Sequence, residues 1–287
     1  MKTVRFYIEN KIPVFESDEV IQLSLIGRGS FGECYKSQFR TGEIVCKKQL
    51  YMDNIDFKCL CHELVILLSI QEKWFPDFLG LLIEGKNLSL IFKYVEGTSL
   101  DKINLSELED KEKYIILNEL SHALNYLHSK AYIHRDVKPS NIIYDRDSSS
   151  VYLIDFGFAK ICLNGESTIT RARGSLIYTA PEVFTPVDDI EKEQNENQLI
   201  SLITPKIDVW SFGCLVSYMY SGKNPWHIYS AEASIMVALS KKIEFAIPEE
   251  INCDQVLQII KECTRVDSTK RPSLEIIQPY IYKLLSS

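Results

Sequence analysis

The sequence lacks the features that would point to a membrane or to nucleic acid. No apolar run approaches the ~20 residues of a membrane-spanning helix, and the amino terminus has no apolar stretch of the signal-peptide kind. The formal net charge is −7, whereas binding to a phosphate backbone needs a basic surface. We therefore expect no membrane span and no nucleic-acid partner, and a cytoplasmic location with the nucleus as the alternative.

Metal-binding cysteine spacing is also missing. The eight cysteines are scattered, and the sequence contains no pair of CxxC motifs. The nearest approach to a ligand set is Cys59 and Cys61 beside His62, which we interpret as buried helix residues. Reduced thiols in a reducing compartment fit this composition best.

Two lobes of different character are predicted from the order of the elements. Residues 1–95 form the strand-rich lobe, with three extended segments between 20 and 50, one helix over 57–70 and an antiparallel hairpin after it. Residues 96–287 are mostly helical. Because strands and helices are segregated along the chain, the predicted fold class is α+β, and 287 residues are enough to bury a sizeable core.

Two helices of the second lobe have informative patterns. A helix over 111–130 has charges opposite an apolar face, which we assign to Ile115, Leu120, Leu124 and Leu127. The segment 208–222 is apolar all round, which predicts a helix buried on every side and ending at Gly222.

A glycine-rich turn is the first candidate site. Residues 27–32, GRGSFG, follow one strand and precede another, and glycines there let backbone N–H groups approach phosphates closely. The following strand argues against a dinucleotide-binding crossover, which needs a helix at that point, and no Gly-Lys-Ser/Thr of a Walker A loop follows. Taken alone, the motif fits an ordinary hairpin turn equally well.

Two adjacent lysines on the third strand are candidates to bind a phosphate. Successive strand residues point to opposite faces, and we prefer Lys48 to Lys47 because Lys48 shares its face with the apolar Cys46 and Leu50. Glu63 is a carboxylate in an otherwise apolar helix and is expected to pair with that lysine. The alternatives are two solvated lysines and an exposed helix glutamate.

Two short polar loops after apolar strands supply the remaining candidates. Their sequences are HRDVKPSN, from residue 134, and LIDFGFAK, from residue 153. Asp155 and Asn141 suit Mg²⁺, which takes few protein oxygens and keeps phosphates or waters as its other ligands. Asp136 is then available to accept a proton from a hydroxyl, and Lys138 to neutralise charge on a moving phosphoryl group.

Together these motifs resemble the eukaryotic-type protein kinases, and Lys138 with the following PSN is similar to their serine/threonine class. The resemblance runs from about Val20 to Arg271 and rests on motifs that stand in the family's order. They are GRGSFG, VCKKQL, Glu63, HRDVKPSN, DFG, APE at 180–182 and DVWSFG at 208–213. The resemblance implies a two-lobed kinase fold and transfer of the γ-phosphate of Mg-ATP to serine or threonine hydroxyls of proteins.

The resemblance also implies a role for each matching residue. Asp136 would be the catalytic base with Lys138 near the γ-phosphate, while Asn141 and Asp155 would hold Mg²⁺. The residues implied to bind the nucleotide are Gly27, Gly29 and Gly32 over the phosphates, Lys48 paired with Glu63, Cys34 and Cys46 above adenine, Phe92 as gatekeeper, Tyr94 and Val95 in the hinge, and Ile143. Glu182 and Arg271 match the family's buried ion pair, and Asp208 its anchor beneath the catalytic loop.

The segment from Asp155 to Glu182 is similar to the activation segment of kinases that phosphorylation switches on. A phosphate on Thr168 or Thr170, added by the protein itself or by an upstream kinase, is predicted to pair with Arg135 and order the segment. The alternative is that these threonines are exposed loop hydroxyls without a regulatory role.

Several positions depart from the family's pattern. Cys34 and Cys46 stand where the family usually has valine and alanine; cysteine packs as a small hydrophobe, so ATP binding is expected to survive. A sharper hypothesis is that ATP binding is sensitive to thiol oxidation. The acidic stretch between APE and DVWSFG is longer than usual and is predicted to be an exposed loop, and Ser140 replaces a glutamate common in kinases of basic substrates.

Two other functions compete with an active protein kinase. A pseudokinase would have lost the lysine or one of the two aspartates, and all three are present. A kinase of small molecules would not need APE, DVWSFG and Arg271, which build the peptide-binding surface of protein kinases.

Overall fold

A computed structural model describes residues 12–29, 32–51, 57–162, 176–184 and 204–285. The chain divides into two compact units, Met1–Glu96 and Gly97–Ser287. Among the described residues, no helix combines the length and the apolar character needed to cross a membrane.

The first unit is one six-stranded sheet with a helix. Its strands are β1 (Val14–Phe15), β2 (Val20–Arg28), β3 (Gly32–Phe39), β4 (Ile44–Leu50), β5 (Phe78–Glu84) and β6 (Asn87–Lys93), and its helix is α1 (Phe57–Ser69). The sheet order is β1-β5-β6-β4-β3-β2, in which β1 is parallel to β5 and every other neighbouring pair is antiparallel. The predicted strands, helix and hairpin are confirmed. The two-residue strand β1 is too short for its sequence to have indicated it.

One face of this sheet carries a small apolar core. Val45 and Ile91 are fully buried there, and the rings of Phe15 and Phe39 pack beside them with centroids 4.8 Å apart. Phe15 packs on this core from β1, which lies at one edge of the sheet. Phe39 packs on it from the last position of β3. The core fixes which face of β4 each of its side chains points to.

The second unit is mostly helical. Its helices in the described ranges are α2 (Asp110–Ser129), α3 (Lys206–Ser221), α4 (Glu232–Ser240), α5 (Asp254–Cys263) and α6 (Leu274–Lys283). Helix α3 packs against α5, and α2 packs against α6. Helix α3 is buried along almost its whole length and ends at Gly222, whose φ of 69° is left-handed, as its sequence predicted.

The apolar face of α2 was misassigned at one position. Ile115 is only half-buried, whereas Ile116 and Leu117 are fully buried with Leu120, Leu124 and Leu127. Residues 116, 120, 124 and 127 follow the four- and three-residue spacing of one helix face, which a face starting at 115 does not.

Short strands position the two polar loops of the second unit. They are β7 (Thr98–Ser99), β8 (Tyr132–Ile133), β9 (Ile142–Asp145), β10 (Ser150–Leu153) and β11 (Lys160–Ile161). Strands β9 and β10 form a hairpin, while β8 pairs antiparallel with β11, so that Ile133 lies opposite Lys160. The chain from 133 to 160 therefore begins and ends at one pair of strands, which brings its two loops back to the same region.

Cys59 and Cys61 lie on α1 but are half-buried rather than buried, so the sequence overestimated their burial. In the described part of the chain, no group of three or more His, Cys, Asp or Glu side chains could hold a metal ion by itself.

Candidate active site

The loop after β8 places two of the predicted site residues around the carboxylate of a third, Asp136. Asn141 donates from Nδ2 to the backbone oxygen of Asp136 at 2.9 Å and to its Oδ2 at 2.8 Å. Lys138 Nζ lies 2.7 Å from the same Oδ2. Asp136 is 5% exposed, so its carboxylate is held in one orientation by an amide and an ammonium group. Asp136, Lys138 and Asn141 are therefore brought together.

A buried aspartate on α3 holds the backbone of this loop. Asp208 accepts hydrogen bonds from the N–H of His134 at 2.9 Å and from the N–H of Arg135 at 2.8 Å. His128 Nε2 lies 2.9 Å from Asp208 Oδ2. Burial alone would raise the pKa of Asp208, yet the hydrogen bond from His128 and those from the loop hold it below its usual value. An ionised Asp208 thus anchors the start of the loop, as the resemblance implied.

His134 is a structural residue of the same loop. Its Nε2 lies 3.2 Å from the carbonyl oxygen of Ile154, and its Nδ1 accepts from the N–H of Asp136 at 3.3 Å. The ring packs edge-on against Phe156 with centroids 5.2 Å apart. Burial lowers the pKa of His134, against the pull of nearby carboxylates such as Asp208. A neutral ring protonated on Nε2 satisfies both contacts, and it ties the loop of Asp136 to the loop that follows β10.

Asp155 lies in that second loop in an unusual backbone conformation. Its φ is 68°, a left-handed value that non-glycine residues rarely adopt. The carboxylate accepts from the N–H of Gly157 at 3.2 Å, and the preceding residue, Ile154, donates its N–H to the carbonyl of Asn141 at 2.9 Å. The loop of Asp155 is therefore hydrogen-bonded directly to the residue predicted to share a metal with it.

The donors of these two loops suit magnesium. Asn141 uses its amide nitrogen toward Asp136, which leaves the amide oxygen to serve as a ligand, and Asp155 offers a half-buried carboxylate. Mg²⁺ prefers a few such oxygens and completes its shell with phosphate and water. The residues fit the ion.

In the first unit, both adjacent lysines are buried and paired. Lys48 Nζ lies 2.9 Å from Glu63 Oε1, which confirms the predicted pairing. Lys47 points to the other face and lies 2.5 Å from Glu84, a partner that the sequence did not suggest because the two residues are far apart in the chain. The alternative of two solvated lysines is wrong; that Lys48 binds phosphates stays a prediction.

The glycines of the turn differ in what surrounds them. A Cβ on Gly27 would meet nothing within 4 Å, and one on Gly29 would be in ordinary contact only with the Gly32 carbonyl. A Cβ on Gly32 would overlap the carbonyl oxygen of Gln49 on β4. Gly32 is thus required by the sheet itself, whereas Gly27 and Gly29 leave their backbone open to a ligand. Ser30 and Phe31 lie outside the described residues.

Three of the residues predicted to surround adenine, Cys34, Cys46 and Phe92, share the face of Lys48. Cys34 is the cross-strand partner of Lys48, and Cys46 is that of Phe92. Phe92 packs on Phe78 with ring centroids 5.5 Å apart, and Lys36 Nζ lies 4.4 Å from the centre of the Tyr94 ring. Val95, like Ile143 in the second unit, is half-buried.

The second predicted ion pair is present. Arg271 donates to both carboxylate oxygens of Glu182, at 2.6 and 2.8 Å, and also to the carbonyls of Arg265 and Lys206. Its guanidinium stacks 4.9 Å from the ring centre of Trp210. Each nitrogen of the Arg271 guanidinium group donates a hydrogen bond. Arg271 therefore joins the APE motif to α3.

The predicted regulatory threonines, Thr168 and Thr170, lie outside the described residues, as does most of the acidic stretch before α3. Arg135 lies within them. Its φ is 70°, and its guanidinium donates to the carbonyl of Phe158 at 3.3 Å.

Comparison with known proteins identifies the class. The family described as Protein kinase domain matches residues 20–282. The chain therefore belongs to the protein kinase family, and the resemblance read from its motifs is confirmed.

The individual relatives share only about a quarter of their aligned residues with this chain. The chain is 27% identical over 272 residues to MAP kinase kinase kinase mkh1 of Schizosaccharomyces pombe, an alignment that covers 88% of this chain and 23% of the relative. It is 27% identical over 292 residues to Serine/threonine-protein kinase TOUSLED of Arabidopsis thaliana, covering 92% of this chain and 40% of the relative. For Mitogen-activated protein kinase kinase kinase 5 of Arabidopsis thaliana the identity is also 27%, with 88% of this chain and 35% of the relative covered. The chain thus spans less than half the length of these relatives.

Proposed function

We propose that this protein is an active serine/threonine kinase that transfers the γ-phosphate of Mg-ATP to hydroxyl groups of proteins. The observation that carries the proposal is the buried Asp136, held by Lys138 and Asn141 on a loop that Asp208 anchors. Such a cluster orients one carboxylate, which is what acceptance of a hydroxyl proton requires.

The contacts of Asp136 indicate a different role for each of its two carboxylate oxygens. Among the described residues, the side-chain contacts given by Lys138 and Asn141 both fall on Oδ2. Oδ1 is then the oxygen that would orient the substrate hydroxyl and take its proton. Lys138, 2.7 Å from Oδ2, is close enough to offset charge on the transferred phosphoryl group as the carboxylate acts.

The other site residues would bind the nucleotide. Lys48, fixed by Glu63, would hold the α- and β-phosphates, and the open backbone of Gly27 and Gly29 would lie over them. Asn141 and Asp155 would hold Mg²⁺, which when bound neutralises phosphate charge.

Substrate class rests on two supports. Lys138 followed by PSN is typical of the serine/threonine class, and relatives such as TOUSLED carry that class in their names. Ser140 is exposed and offers no carboxylate for a basic substrate residue. The cytoplasm, a reducing compartment, agrees with eight cysteines none of which forms a disulfide.

A peptide array tests this function. The protein is incubated with Mg-ATP and peptides that carry serine, threonine or tyrosine acceptors, with Asp136→Asn as the background. Phosphate on serine or threonine, absent with the variant and without Mg²⁺, is expected. Transfer only to tyrosine would overturn the substrate class, and no transfer or autophosphorylation at all would favour a pseudokinase.

Regulation by phosphorylation of the activation segment forms part of the proposal. Arg135 would pair with a phosphate on Thr168 or Thr170, since charge-assisted bonds to arginine order such segments. A variant with both threonines changed to alanine is expected to have much lower kcat toward peptide, with ATP affinity retained. Full activity in this variant would refute the regulatory role.

A further inference from the structure

Two cysteines occupy neighbouring positions on the face of the first unit's sheet that carries Lys48. Cys34 lies on β3 opposite Lys48, and Cys46 lies on β4 opposite Lys36. Facing residues of an antiparallel pair share a face, as do residues two apart on a strand. Cys34 and Cys46 are therefore diagonal neighbours on one face, each with a lysine directly across from it.

The two thiols interact directly, and they are not equivalent. The hydrogen bond to Cys34, together with burial, raises the pKa of Cys46 far above its ordinary value. Cys46 thus keeps its proton and donates it toward the sulfur of Cys34. A neighbouring S–H donor stabilises negative charge on the sulfur of Cys34. Cys34 is the better nucleophile of the pair, and Cys46 the thiol placed beside it.

We propose that Cys34 and Cys46 form a site of modification by hydrogen peroxide, at which Cys34 is oxidised first and Cys46 closes a disulfide that excludes the nucleotide. The last clause rests on the proposed function, because it assumes that ATP binds on this face. The formation of the disulfide does not depend on it.

The chemistry balances with peroxide as the only oxidant. The Cys34 thiolate attacks one peroxide oxygen and breaks the O–O bond, which yields a sulfenic acid and hydroxide. Cys46 then attacks the oxidised sulfur; the S–S bond forms, and the departing hydroxyl group leaves as water with the Cys46 proton. Two sulfurs lose two electrons in total, and peroxide is reduced to two molecules of water.

The position of the pair explains how formation of the disulfide would weaken nucleotide binding. Diagonal neighbours in a sheet have Cβ atoms several ångströms apart, roughly 7 Å, whereas a disulfide needs about 3.5–4.5 Å. Closure must therefore pull β3 along β4. Strand β3 carries only the edge strand β2 beyond it, so the hairpin that holds Gly27 and Gly29 moves with β3. A bridge formed under such strain is readily reduced, which makes the change reversible.

Three of the other cysteines are poor competitors for the oxidant. Cys214 and Cys263 are fully buried, and burial raises the pKa of each thiol. The pKa of Cys61 is raised by burial as well. Cys34 and Cys46 are half-buried, and their thiols are hydrogen-bonded to each other, so closure at this pair is favoured by proximity.

The test uses the full chain in reduced, peroxide-treated and re-reduced forms. Disulfides are mapped by mass spectrometry of peptides, and Mg-ATP affinity is measured by calorimetry on each form. We expect a Cys34–Cys46 cross-link and a loss of affinity of about tenfold or more, with both reversed by dithiothreitol. Each protein is compared with its own reduced form, so that effects of substitution on basal affinity cancel.

Two variants separate this pair from the remaining thiols. Cys34→Val with Cys46→Ala is expected to abolish the peroxide response, whereas Cys59→Ser with Cys61→Ser, in the same unit, is expected to keep it. Absence of the cross-link in wild type, or equal loss of affinity in the Cys34→Val, Cys46→Ala protein, would overturn the proposal. If reduced wild type bound no ATP, the proposed function would fail, and the cross-link alone would decide the chemistry of the pair.

Discussion

At the scale of single residues, two left-handed non-glycine positions occur in the two loops of the candidate site. Arg135 has φ of 70° and Asp155 has φ of 68°, a conformation that costs on the order of 1–3 kcal/mol at each residue. The hydrogen bonds from the N–H of Arg135 to Asp208 and from the N–H of Gly157 to Asp155 hold the chain in it. No local sequence pattern indicated this strain. At Arg135 the contact is long-range, because Asp208 lies on α3. The position of the strain at both loops agrees with a functional role.

The Arg271–Glu182 pair gives a prediction about stability. Arg271→Met removes this cation from the largely buried carboxylate of Glu182, and removes the Arg271 donors from the carbonyls of Arg265 and Lys206. We expect the free energy of unfolding in urea to fall by about 3–5 kcal/mol.

The neighbouring residue supplies the control for that measurement. Lys270 is exposed, its ion pair with Asp267 is 3.5 Å long, and Lys270→Met should leave stability unchanged. A loss for Arg271→Met no larger than that of Lys270→Met would contradict the assignment of the pair as a tie between the APE motif and α3.

At the scale of elements, the sequence was most informative where one residue type has one physical meaning. Gly222 ends α3 because a left-handed residue closes a helix, and α3 is buried because it is mostly apolar and its buried Asp208 accepts hydrogen bonds from the loop of His134. The sequence was least informative at the first residue of an apolar helix face. Ile115 and Ile116 are both apolar, and the buried Ile116 differs from Ile115 only in its four-residue spacing from Leu120.

The glycine turn between β2 and β3 gives a prediction that separates structure from binding. Gly32→Ala places a Cβ against the Gln49 carbonyl and 3.1 Å from Leu50 Cα, so β3 and β4 must move apart. We expect it to lower the free energy of unfolding by about 1–3 kcal/mol.

Gly27→Ala is the matched change in open space, because its Cβ meets nothing within 4 Å. It should leave the unfolding midpoint unaltered and weaken ATP binding, since the methyl group keeps a phosphate away from the backbone. Unfolding curves and ATP titrations of both variants provide the comparison. Equal destabilisation by the two changes would contradict the distinction, and unaltered ATP affinity in Gly27→Ala would remove Gly27 from the binding site.

At the scale of the whole molecule, the predicted site residues are spread along most of the chain. Lys48 and Glu63 belong to the first unit, and Asp136 and Asp155 to the second. The order of these motifs was enough to predict the family and the fold class. It did not predict Glu84 as the partner of Lys47, or the contact of Cys34 with Cys46, because these depend on sheet register and on side-chain packing.

The most direct measurement of the central claim is the steady-state kinetics of Asp136→Asn beside wild type, with Mg-ATP affinity and thermal stability measured on the same samples. If Asp136 accepts the proton of a substrate hydroxyl, kcat for peptide phosphorylation falls by about 10²- to 10⁴-fold while ATP affinity and the unfolding midpoint are retained. An unchanged kcat in the folded variant would contradict the account.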